Sequence, residues 1–176
     1  STKNNKDLDL YTKSVHIIIT CIRPLVQQFG KTGAEKILTL TRLLSDTRKK
    51  TLGIESIVVL PDVPQNIARF NLATIKDHDS LTIIKLIKDI NSSLKNINKH
   101  IGSILIIGGD EIIPFHRLPN PTDDHDIDIP TDNSYGTDDN NYFVPKWPVG
   151  RLPSHSGSDS SLLETILTNT INAHKK

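Results

Sequence analysis

The chain has one cysteine, no methionine, one tryptophan and an aromatic content of 5%. A single thiol excludes an intrachain disulfide framework and a cysteine-based zinc site. Charge of one sign is also missing: 21 Lys and Arg stand against 20 Asp and Glu, a formal net charge of +1. That balance argues against nucleic acid or a membrane surface as the main partner. Long apolar runs are absent too; the longest, such as Ile17–Ile19 and Ile104–Ile107, are far too short to cross a bilayer. No secretory signal is visible, which leaves both a cytoplasmic and a secreted location open. There is no internal repeat and no coiled-coil heptad. What remains is 176 residues, 36% of them hydrophobic and 23% charged, enough for one folded domain with its own core.

The order of elements follows from periodicity. Residues 1–14 are polar and read as an arm. Residues 15–22 (VHIIITCI) are nearly continuous and β-branched, the pattern of a strand buried on both faces. Pro24 and Gly30 are expected to break the chain before a helix over 34–50, which carries Ala34, Ile37, Leu38, Leu40 and Leu44 at helical spacing. Arg48, Lys49 and Lys50 suit its carboxyl end. Residues 54–60 (IESIVVL) form a second strand, stopped by Pro61 and Pro64. Asp79 or Ser80 caps a helix whose apolar face runs from Ile83 through Ile97 to Ile101, with Gly102 as its stop. Residues 103–107 form a third strand. Residues 114–141 are rich in Pro, Asp and Asn and read as a long acidic loop. One short strand is expected within 142–149, limited by Pro145 and Pro148. The stretch 154–176 holds a last, linking helix over 158–174.

Strands alternating with helices imply an α/β fold: a three-layer α/β/α sandwich around a small, mostly parallel sheet of about four strands, Rossmann- or flavodoxin-like, spanning 15–153. Function in such sheets sits at the carboxyl ends of the strands, here Thr20–Arg23, Pro61-Asp62 and Gly108–Glu111.

Few motifs exceed their ordinary explanation. Gly30-Lys31-Thr32-Gly33 follows a strand, but a phosphate loop needs a further Gly where this chain has Leu25. Cys21 ends an apolar strand, as buried cysteines do. His16, five residues earlier, falls on the opposite face, so the two cannot form a dyad within that strand. Acidic clusters at Asp123–Asp128 with Asp132, and at Asp138-Asp139-Asn140-Asn141, are solvated loops or oxygen-rich calcium sites. Trp147 and Tyr135 read as aromatics that pack a loop. The Ser-rich run after Pro153 reads as a loop and helix cap.

Three segments are more telling together: ILIIGGDEIIP (Ile104–Pro114), TDNSYG (Thr131–Gly136) and PVGRLP (Pro148–Pro153). In this order the chain resembles the gingipain family of caspase-like cysteine peptidases over roughly residues 15–174. The resemblance implies structural roles for Asp110, which fixes the loop after its strand, for Asp132 and Tyr135, which pin the connection, and for Arg151 at the entry to the linking helix. It also implies calcium near Asp138, Asp139 and Asn141. It carries over no catalytic residue. The family's His lies in a His-Gly pair and its Cys follows a later strand; this sequence has no His-Gly pair, and its one Cys is in the first strand. The chain therefore resembles the amino-terminal, non-catalytic subdomain, inactive alone, with the caspase-like catalytic half as its partner. The rival expectations are a stand-alone interaction module with the same fold and a small-molecule or nucleotide binder.

Overall fold

The computed structural model describes residues 13–122, 125–139 and 141–175. Most of the expected arm, residues 1–12, lies outside the described residues, as do Asp123, Asp124 and Asn140 of the acidic clusters. The described elements run β1 (Ser14–Ile19), α1 (Ile22–Leu52), β2 (Ser56–Val59), a short α2 (Pro64–Ile67), α3 (Ser80–Lys95), β3 (His100–Ile107), β4 (His116–Pro119), β5 (Asp128–Thr131), β6 (Val149–Leu152) and α4 (Ser161–His174).

The main sheet is parallel throughout, in the order β2-β1-β3-β6. The chain steps from β1 to β2 on one side, then crosses back over β1 to β3 on the other. Right-handed crossovers in opposite directions place α1 and α3 on opposite faces of the sheet, and α4 packs along α1. This is the α/β sandwich expected from the sequence. Central β1 explains why Ile17, Ile18 and Ile19 are all apolar: neighbours lie on both edges and helices on both faces, and each residue is at most 1% exposed.

Helix α1 departs from expectation. It begins at Ile22, not at Ala34, and runs through Pro24 and Gly30. Pro24 falls in the first turn, where a missing N–H costs no helical hydrogen bond. Gly30 takes φ 67° and ψ 175°, which kinks the helix without ending it. Gly30–Gly33 therefore lie inside a helix, one turn or more past its amino end, and form no phosphate-binding loop. Gly53 (φ 66°) ends α1 by donating its N–H to the Arg48 carbonyl.

Helix α3 begins where expected: Asp79 accepts from the Thr82 amide (2.9 Å) and hydroxyl (2.7 Å). It ends earlier, at Lys95. Ile97 is 64% exposed in the turn that follows, and Ile101 and Gly102 belong to β3 rather than to the helix face. Gly102 is a packing residue: a Cβ there would sit 2.8 Å from the Ser14 Cβ, beside the register shift between Val15 and His16.

The 114–141 loop contains an antiparallel hairpin, β4 with β5, pairing His116 with Thr131 and Arg117 with Pro130. Pro130 is tolerated because a two-stranded ribbon consists of edges. The last sheet strand lies after Pro148, at Val149–Leu152, rather than within 142–149. Pro145 and Pro148 hold it off until the chain is clear of both.

Candidate functional site

The carboxyl ends of β1, β2, β3 and β6 meet at one end of the sheet, where this architecture places ligands. At the β3–β6 side the chain leaves Ile107 through Gly108 (φ 115°), a conformation an L side chain rarely adopts. A Cβ on Gly108 would also lie 2.7 Å from Ile112. The Gly108 amide still donates to Leu152 (2.9 Å), extending the strand pairing, and the Gly109 amide donates to the Ser154 hydroxyl (2.8 Å). The amides of Ile112 and Ile113 then close the turn onto the Gly109 carbonyl.

Arg151 fastens this turn. Its side chain is 7% exposed. Nε and Nη2 donate to the two oxygens of Asp132 at 2.9 and 2.6 Å, a bidentate pair. Nη1 donates to the carbonyls of Gly108 (2.9 Å), Gly109 (3.2 Å) and Ile113 (2.8 Å). The guanidinium plane lies 4.1 Å from the centre of the Phe115 ring. Asp110 sits just outside: one oxygen accepts from the Phe115 amide (2.6 Å), the other from Arg117 (2.7 Å), which also bonds Asp128 (3.2 Å). The Tyr135 hydroxyl donates to the Pro114 carbonyl, and the Trp147 ring N–H donates to the Tyr135 carbonyl (3.0 Å). Burial pushes the Tyr135 hydroxyl above its ordinary range, so it stays protonated and donating. Asp110, Asp132, Tyr135 and Arg151 thus converge on one turn.

At the β1–β2 side, α1 points its amino end at the same region. Phosphate would bind there in a nucleotide fold. Asp62 fills that position. Its side chain is 2% exposed and accepts from the amides of Ile22 (3.0 Å) and Arg23 (2.7 Å). Sequence reasoning noted Asp62 only as a strand end. The available signal was an acidic residue three positions past one parallel strand, facing a helix that starts three positions past its neighbour.

Cys21 lies beneath this helix start, fully buried. Burial, then the nearby Asp62 carboxylate, pushes its thiol well above the ordinary range, the opposite of what a nucleophile needs. His16 is tied instead to the Ser103 hydroxyl (2.5 Å).

Asp138, Asp139 and Asn141 lie in the loop between Gly136 and β6. Lys146 pairs with Asp138 and stands 3.9 Å from Asp139. Lys95 of α3 reaches Asp138 at 3.4 Å, and Lys88 donates to the Asp139 carbonyl at 3.1 Å. One Asp139 oxygen also accepts from the Thr137 hydroxyl and the Asn141 amide, both at 2.7 Å. Among the described residues, no three His, Cys, Asp or Glu side chains gather as a metal-holding group. A calcium ion needs six to eight oxygens; carboxylates already facing two ammoniums do not fit it. No helix among the described residues is long and apolar enough to cross a membrane.

The family model of peptidase family C25 matches residues 31–176, most of the chain. Neither a curated protein nor a solved structure shows a significant match. The match takes in the Gly-Asp turn, the Asp132–Tyr135 segment and the Val149–Leu152 strand, the same three segments that the knot around Arg151 ties together. The chain belongs to peptidase family C25, the gingipain family of cysteine peptidases.

Proposed function

We propose that this chain is the amino-terminal structural subdomain of a gingipain-like cysteine endopeptidase and steadies a caspase-like catalytic half. The observation that carries this reading is how the end of the sheet is filled. Asp62 closes the α1 amino end, and Arg151 with its acceptors closes the β3–β6 side. The helix amides and the turn that such folds offer to a ligand are already bonded to the chain's own side chains. The one thiol is sealed and protonated, so the nucleophile and its His would come from the catalytic half, acting through an acyl-enzyme.

Two measurements test it. Purified residues 1–176 incubated with a broad panel of fluorogenic peptides are expected to give no hydrolysis; turnover that disappears in Cys21→Ala would overturn the reading. Sequencing the complete reading frame is expected to reveal a His-Gly pair after an apolar strand and a later Cys. A frame that stops near Lys176 would favour the stand-alone module instead. Nucleotide binding is the weakest rival, because the Asp62 carboxylate stands where a phosphate would have to go.

A further inference from the structure

We propose that the Asp138–Asp139 corner of the loop after Gly136 is locked by lysine ammoniums standing where a divalent cation would otherwise sit, so that this corner holds its shape without calcium. The loop bends back toward α3, where Lys95 reaches the Asp138 carboxylate and Lys88 donates to the main-chain carbonyl of the adjacent Asp139. Two carboxylates side by side repel and need a counter-charge. Here two ammoniums supply it from two directions, Lys95 on α3 and Lys146 from the far end of the loop itself, while Lys88, two turns before Lys95, holds the Asp139 main-chain carbonyl. Lys146 pairs with Asp138, stands 3.9 Å from the Asp139 carboxylate and is followed at once by buried Trp147, whose ring N–H is fixed to Tyr135. The ammonium therefore ties the loop's two ends together, the service a coordinated ion gives to an oxygen-rich loop. A bound cation and Lys146 would compete for the same oxygens.

The experiment concerns the fold of this chain alone, so its failure is separable from that of the peptidase reading. Residues 1–176 are melted in millimolar calcium and in chelator. The two midpoints are expected to agree within about 1 °C, since a ligand that does not bind the native state cannot raise it. Lys95→Gln with Lys146→Gln is expected to melt a few degrees lower in both buffers. Lys146→Glu, which places a third carboxylate beside Asp138 and Asp139, is expected to melt lower in chelator and to recover as calcium is added. A saturable rise of the wild-type midpoint with calcium would overturn the proposal. So would a double lysine variant that melts like wild type.

Discussion

Two acidic sites, a few residues apart in sequence, are neutralised by different chemistry. Asp132 is met by Arg151, with 7% of the arginine side chain exposed. Asp138 is met by Lys146 and Lys95, which are 51% and 58% exposed. The first site must satisfy a carboxylate and three carbonyls at fixed positions in a dry turn. A planar fork with five N–H groups does this, and a point charge cannot. The second site only has to hold a surface loop against a helix, and flexible ammoniums suffice. Arginine here fixes a shape, whereas the lysines balance a charge.

The sharpest way to break that contrast is to remove the fork. Arg151→Ala strands the Asp132 carboxylate and takes its donor from the Gly108 and Ile113 carbonyls, while the Gly109 carbonyl keeps the Ile112 and Ile113 amides. The expected loss is about 3–5 kcal/mol in urea unfolding, the scale for breaking one side of a buried pair. Arg151→Lys is expected to recover less than half of it. If lysine restored most of the stability, the site would need charge rather than geometry and the comparison would fail.

Asp62→Ala removes the other closure at the end of the sheet. It frees the amides of Ile22 and Arg23, and the expected cost is roughly 1–2 kcal/mol, in the upper range for losing a helix cap. The same variant sharpens the functional reading. If opening this position does not allow phosphate or nucleotide to raise the melting midpoint, the helix end is purely structural. Tyr135→Phe should cost about 1 kcal/mol, the loss of one buried hydrogen bond to the Pro114 carbonyl, with the ring's packing kept.

The sheet was legible in the sequence because doubly buried parallel strands demand unbroken β-branched runs, and Val15–Ile19 and Ile104–Ile107 have no other use. Element ends were less so. Ile97 and Ile101 continue the α3 spacing by coincidence; the turn after Lys95 exposes one and hands the other to β3. Pro24 looked like a break because its place in a first turn depends on where the helix begins, and that is fixed by Asp62, forty residues on. The segments around Asp110, Asp132 and Arg151 could be recognised as a set. The carbonyls that Arg151 collects could not, because Gly108, Gly109 and Ile113 converge only after the turn has formed. Lys88 and Lys95 likewise lie on a helix whose outward face reads as ordinary solvent-facing charge until the loop folds onto it.

The smallest effect separates the two sites by pH and salt. The Asp138 carboxyl is held below its ordinary value of 3.8, first by the Lys146 hydrogen bond, with Lys95 adding to it. A depressed carboxylate stabilises the fold above its unfolded value and loses that contribution as pH falls through the lower folded value. The midpoint difference between wild type and Asp138→Asn should therefore be steady from neutral pH to roughly pH 5 and close below the unfolded value. Added salt should shrink the same difference at neutral pH, because half-exposed ammoniums are screened, and should leave the cost of Arg151→Ala nearly unchanged. Trp147, the one tryptophan, sits next to Lys146 and reports the loop by fluorescence while the melt reports the whole fold. Equal salt sensitivity of the Arg151 and Asp138 variants would mean that both sites are held by charge alone, and the distinction between fork and ammonium would have no energetic content.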